Sequence, residues 1–497
     1  MHKKDTFNKL VNYIILFTIV SHAAFIGISP VNYEQLFVYA SQYPEKISKE
    51  DLNLYFQYQA NSIFFSYLIN FFHALFPSFN TLIVAKTISL SGFLFFGLAL
   101  RDLMIRYDLN NAAFFILIIF HPVIWNLGFR ATPDFISFST GFFGFVLFLK
   151  NLDKKLNLYH ILSSLFLALS LCLKIHSIFF IILIIFIFFF LKSESSKDYK
   201  KIFTILTLSS VLTISFYLIN YIKFDFFILN DNFSKAHKIS TDRFLFNLIG
   251  YLGYLCLLVF PIILIPAIKF KDAKMSLFIF LLFFFIGYFY LNLYGELNLG
   301  FFISLIPNEK ILNGLVLLMF ILFLFVSIRL FSYFKKVNKE ILILLSLTIF
   351  FIFLLSFSRP ANRYLIYAIP FIYLFCFIFQ KSCNKKFVNF IVISSFIFGI
   401  ILNYLILNNQ IITAKNIDNI ISYTKNNLKD DFIDYSTIFP HRPVFVKKNA
   451  ISPSLLNAGQ KYFEISENID NSIYKSCKKL IFIIHDKCLS INVKYAK

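Results

Sequence analysis

Runs such as IHSIFFIILIIFIFFFL, residues 175–191, fix the kind of chain this is. A segment so continuously apolar has no polar face to give to water, so it is held in a bilayer or at the centre of a large core. Such stretches recur along the 497 residues and repeatedly reach the ~20 residues that cross ~30 Å of hydrocarbon. A β-barrel would instead show segments of about ten residues alternating between apolar and polar. With 58% hydrophobic and 15% charged residues, the chain reads as an all-α polytopic membrane protein. The 71 phenylalanines accompany an excess of Ile, Asn and Lys over Ala, Gly and Val, and this compositional drift carries no functional weight by itself.

A formal net charge of +21 would suit nucleic acid, but its distribution excludes that class. The basic residues gather between spans: Lys3 and Lys4, Arg101 with Arg106, then KNLDKK, KSESSKDYKK, KFKDAK, FKKVNK and KSCNKK. Alternate loops are enriched about twofold over the intervening ones, which places them in the cytoplasm and the N-terminus with them. Spans are expected near 11–29, 80–100, 110–129, 133–149, 157–173, 176–192, 203–222, 246–268, 276–294, 310–333, 340–357, 362–380 and 387–407. That is about 13 crossings, and an odd number sends the C-terminus outside. Counting NSIFFSYLINFFHALF, residues 61–76, as a further span would invert every later loop, so it reads as an interfacial helix on the outer face.

Two regions are too polar to be membrane. The first outer loop, about residues 30–60, is longer than a connection needs. The tail, residues 408–497, begins with a helix-like KNIDNIISYTKNNLKDD and later carries a strand-like KLIFIIHD. The expected organisation is a transmembrane catalytic domain over 1–407 and a small extracytoplasmic domain, α/β or irregular, over 408–497. Cys477 and Cys488 are the pair left on the outer face, a compartment that permits a disulfide. The sequence has no zinc-type Cys/His spacing, P-loop or dinucleotide-binding glycine pattern.

The outer ends of the spans carry a small set of charges: Glu34 in NYEQ, Asp134 in FRATPDF, Lys174, and Arg359 and Arg363 in SRPANRY. An arginine costs a few kcal/mol at mid-membrane and much less at the interface. Carboxylates and cations at one membrane level are what glycosyl transfer from a lipid-linked sugar phosphate uses. The acid takes the acceptor's proton, and Arg and Lys hold the phosphate as it gains charge. Each residue also has an ordinary reading. Glu34 suits a solvated loop, Asp134 after Pro133 suits a helix N-terminus, and Lys174 with His176 suits a tight turn. Arg359 and Arg363 suit snorkelling to headgroups. Spacing leaves both readings open.

Four stretches together resemble the GT-C superfamily of polyprenyl-phosphate-sugar-dependent glycosyltransferases, in particular the protein O-mannosyltransferase and lipid A aminoarabinose transferase branch. They are SPVNYEQLFVYA after the first span, YFQYQANSIFFSYLINFFHALFPSFNTLIVAKTISLSGFLFFGLAL, FRATPDFISFSTGFFGFVLFL, and RPANRYLIYAIPFIYLF. The resemblance runs over roughly residues 10–410. It implies a GT-C-like fold, with Glu34 and Asp134 as the catalytic acids and Lys174, Arg359 and Arg363 on the donor phosphate. Tyr33 stands where an acidic neighbour is common, and Glu replaces the usual Asp, so Glu45, Glu50 and Asp51 remain substitutes for the base.

The resemblance further implies a transferase in the inner (plasma) membrane. Its donor would be a polyprenyl-phosphate-linked sugar and its acceptor a glycan, lipid or protein hydroxyl on the outer face. No metal ligand is assigned, although the reaction leaves room for a divalent ion. The alternatives are a transporter or flippase of lipid-linked saccharides and a polymerase. The first favours charges in mid-span and repeated halves. Here Lys86 is the mid-span exception and no repeat is visible.

Overall fold

A computed structural model describes residues 2–28, 37–38, 41, 63–191, 199–224, 241–267, 273–294, 306, 308–331, 338–357, 361–428, 433–434, 460–466, 472–479 and 486–495. The chain is mostly helical and divides into two compact units. One comprises Met1–Val20, Ser91–Gly128 and Asp134–Leu402; the other comprises Ser21–Leu90, Phe129–Pro133 and Asn403–Lys497.

The helices are α1 His2–Ala23, α2 Ile63–Leu75, α3 Thr81–Arg106, α4 Ala112–Ile119, α5 Pro122–Gly128, α6 Pro133–Lys150, α7 Leu158–Leu173 and α8 Ile178–Leu191. They continue with α9 Tyr199–Phe224, α10 Phe244–Leu258, α11 Leu264–Ala267, α12 Ala273–Tyr294, α13 Glu309–Phe331, α14 Lys339–Leu355, α15 Ile369–Ile378 and α16 Lys385–Asn427. Among the described residues, four helices are long and apolar enough to cross a membrane: Thr81–Arg106, Tyr199–Lys223, Lys310–Ser327 and Lys385–Asn427. The bent pair α5 and α6, which meet at 112°, would make a fifth. Shorter apolar helices of 10–17 residues, such as Leu158–Leu173 and Ile369–Ile378, lie within other expected spans.

Prolines explain why several expected spans are interrupted. The span expected over 110–129 stops at Ile119 and resumes at Pro122, which has no N–H to give the preceding turn and suits a first helical position. The span expected at 362 begins instead as a 3₁₀ turn, Asn362–Tyr367, and becomes α-helical only at Ile369, with Pro370 in its first turn. α10 ends at Leu258 ahead of Pro261, and α11 follows it. The helical segment expected to lie at the interface is α2, with Ile63, Phe65, Ser66 and Ile69 buried and Phe71 and Leu75 exposed.

The first unit is held by aromatic packing and close helix crossings. Phe138, Phe142 and Phe180 pack on one another and on α15 through Phe371. At Gly253, a Cβ would meet the Val316 carbonyl oxygen at 2.3 Å, so α10 and α13 approach to a distance that a hydrogen side chain permits.

In the second unit, Asn403–Asn427 of α16 precedes, among the described residues, four strands, β1 Ile433–Asp434, β2 Lys461–Ser466, β3 Ser472–Lys479 and β4 Asp486–Tyr495. They form one sheet in the order β1-β2-β4-β3, parallel between β1 and β2 and antiparallel elsewhere. Ile417, Ile420 and Ile421 of the helix share a core with Phe463, Ile465, Leu489 and Ile491 of the sheet. Cys477 and Cys488 sit opposite each other on β3 and β4 and are joined by a disulfide. The helix-like start of the tail is the end of α16, which runs unbroken through residues 407 and 408. Of the strand-like KLIFIIHD, residues 480–485 lie outside the described residues. Lys86, the mid-span cation, is buried in this unit and donates to the Ile28 carbonyl at 2.5 Å, as an ammonium removed from water must.

Candidate functional site

Three of the five charged residues singled out in the sequence converge in the first unit. Glu34 and Arg359, together with Glu45, Glu50 and Asp51, lie outside the described residues.

Asp134 is the second residue of α6 and is 7% exposed. Its place in the first turn points the carboxylate at the positive end of the helix, a favourable setting for an anion. Lys174 lies between α7 and a 3₁₀ turn, Ile175–Ser177, where the backbone opens to an extended φ of −162°. That break turns the side chain away from the helical path, and its ammonium donates to Asp134 Oδ1. Arg363, in the 3₁₀ turn before α15, brings its Nε to 3.7 Å from the same oxygen. Lys174 is as buried as Asp134, whereas a third of the Arg363 side chain is exposed.

Tyr364 completes the cluster. The Lys174 ammonium lies 4.9 Å and the Arg363 guanidinium 5.4 Å from its ring centroid, within reach of the ring's negative face. The imidazole of His176 stacks on the same ring at 4.2 Å and 19°. One aromatic plane thus carries a histidine and braces two cations.

The described charges of the cluster are unequal in number. Among the described residues, Asp134 is the carboxylate that meets both cations, so one negative charge faces two positive ones. Its Oδ1 is committed to Lys174 and makes only a long contact with Arg363. The arrangement can hold one more anionic group, with a planar guanidinium fork partly open to receive it. No three His, Cys, Asp or Glu side chains gather to hold a metal ion among the described residues.

No protein-family model matches the chain, and no curated protein sequence matches it. Among solved structures, it is similar to the crystal structure of ArnT from Cupriavidus metallidurans in the apo state. The match has a TM-score of 0.44 and 11% identity over 99% of this chain and 98% of that one.

Sequence reasoning reached Asp134, Lys174 and Arg363 by charge and position, but not Tyr364 as their common wall. The signal was present in the pair Arg363–Tyr364, since adjacent basic and aromatic residues in a chain rich in both aromatics and apolar residues mark a place where a cation needs a face. His176 was visible only as part of a turn.

Proposed function

We propose that this protein is a multi-pass glycosyltransferase of the inner membrane. It moves a sugar from a polyprenyl-phosphate donor to an acceptor hydroxyl on the outer face, with inversion at the anomeric carbon. The observation that supports this reading best is the meeting of two cations, Lys174 and Arg363, on the single carboxylate of Asp134 among the described residues, beside the ring of Tyr364. Two cations that share one carboxylate leave charge-assisted donors for a further anion, and the partly exposed Arg363 is the one that can meet it. A lipid-linked sugar phosphodiester brings one negative charge, and its leaving group, the polyprenyl phosphate, gains another.

In this mechanism the acceptor oxygen forms a bond to the anomeric carbon as the bond from that carbon to the phosphate oxygen breaks. Lys174, Arg363 and Arg359 stabilise the charge that develops on the departing phosphate. Asp134 holds Lys174 in place, and the acceptor proton passes to Glu34. A carboxylate general base is needed because a hydroxyl is a poor nucleophile at neutral pH.

The test is transfer from a polyprenyl-phosphate sugar by purified wild-type protein and by Glu34→Gln. The variant keeps the shape of the side chain and loses its basicity, so transfer should fall about a hundredfold to ten-thousandfold with donor binding retained. A wild-type rate in Glu34→Gln would move the base to Glu45, Glu50 or Asp51. Failure of the wild type to use any lipid-phosphate sugar would overturn the reading.

A further inference from the structure

Beneath the charged cluster lies a second layer made of hydroxyls. Ser137 lies three residues after Asp134 on α6, Ser177 three after Lys174 in its 3₁₀ turn, and Tyr367 four after Arg363. Each is therefore about one helical turn from a member of the cluster, on the same segment. Ser137, Ser170 and Ser177 are at most 1% exposed and Tyr367 is 2% exposed, so water does not serve these groups.

The direction of every hydrogen bond in this layer can be deduced. Ser137 Oγ donates its one hydrogen to the Ser170 carbonyl at 2.9 Å. It therefore accepts in its 2.8 Å bond with Ser177 Oγ, which must be the donor. Ser177, its hydrogen spent, accepts from the Tyr367 hydroxyl at 2.9 Å. The chain runs one way: Tyr367 to Ser177 to Ser137 to the Ser170 carbonyl. That same carbonyl accepts the backbone N–H of Lys174 at 2.9 Å, and the Ser177 N–H returns to the Lys174 carbonyl at 3.1 Å. Ser170 Oγ adds a bond to the Ser137 carbonyl at 2.6 Å.

We infer that Tyr367 is a positioning residue for the anion-binding cations: its hydroxyl, through Ser177, sets where the turns bearing Lys174 and Arg363 stand against α6. The Tyr367 ring is already fixed by Phe138, Phe179, Phe180 and Phe351, at centroid distances of 5.5–5.9 Å. The hydroxyl is thus the one part of the side chain free to act as a pin, and a Phe at this position keeps the packing while releasing the pin. The inference rests on the functional reading above, in which these cations hold a lipid phosphate.

The experiment measures binding of a short-chain polyprenyl phosphate to the purified full-length protein in lipid nanodiscs. It compares wild type, Tyr367→Phe, Ser177→Ala, Lys174→Met, and Tyr367→Phe combined with Lys174→Met, each with its thermal midpoint. Tyr367→Phe and Ser177→Ala should each weaken binding about fivefold to twentyfold while the thermal midpoint stays within a few degrees of wild type. In the Lys174→Met background, Tyr367→Phe should cost clearly less than it does in wild type, because one of the two cations it positions is gone. Wild-type affinity in both hydroxyl variants, or a full and additive loss in the Lys174→Met background, would overturn the positioning role while leaving the functional reading intact. Absence of binding by the wild type would overturn both.

Discussion

Arg106 and Arg363 are both about 30% exposed and both face a buried carboxylate, but the two sites close differently. Arg106 lays its fork on Glu340, with Nε at 2.7 Å from one oxygen and Nη2 at 2.8 Å from the other. Tyr107 donates to Glu340 at 2.6 Å, and Arg106 Nη1 reaches the Leu149 carbonyl at 3.0 Å. One cation meets one anion in bidentate geometry, which is how a fastener between helices is built. Arg363 stands 3.7 Å from an Asp134 that Lys174 already occupies. A guanidinium closed on its own carboxylate has little left for a guest, and one held off by a competing lysine keeps part of its fork for one.

Cutting the fastener should have the largest effect. Arg106→Met leaves the buried Glu340 carboxylate without its cation, so stability should fall by about 3 kcal/mol or more. The activity of the molecules that remain folded should hold. Unfolding monitored in mild detergent, with transfer normalised to folded protein, checks both parts. An unchanged stability would mean that the Arg106–Glu340 pair is no fastener.

A smaller effect separates Tyr107 from Arg106. Burial, and then the charge of Glu340, push the Tyr107 phenol well above its ordinary value. Its contribution is therefore complete below about pH 10, the range in which an unfolded tyrosine keeps its proton, and is lost as pH rises beyond it. Tyr107→Phe should cost about 1 kcal/mol at neutral pH through the missing hydrogen bond. The gap from wild type should narrow above about pH 10. Unfolding curves at neutral and alkaline pH check this, and a constant gap would show that the phenol does not titrate with unfolding.

The two sites were also unequally legible in the sequence. Asp134, Lys174 and Arg363 could be reached because each breaks an apolar pattern at the end of an expected span, and because the direction of the chain places such ends at one level. Arg106 was read only as one more basic loop residue. Its partner Glu340 lies 234 residues away, and no local pattern encodes that pairing. Apolar runs set the helical class, and the prolines that interrupt them, Pro122, Pro261 and Pro370, were visible but could not say whether a span would bend, stop or restart. The hydroxyl layer was invisible for a different reason. Ser137, Ser177 and Tyr367 are ordinary residues in a long apolar chain, and only their meeting in space makes them a network. The tail gave its leading helix and its cysteine pair to inspection. The order of its strands depends on pairings that single-strand patterns do not contain.

The most direct test of the account is the affinity of a polyprenyl phosphate for the purified protein with each arginine altered in turn. Losing the charge-assisted contacts of Arg363 in Arg363→Ala should weaken binding about thirtyfold, or ~2 kcal/mol, with Lys restoring only part of it. Arg106→Met, measured on folded protein, should bind as wild type does. Equal affinity in wild type and Arg363→Ala, or an equal loss in the two arginine variants, would contradict the proposal that Arg363 beside Asp134 holds a lipid phosphate.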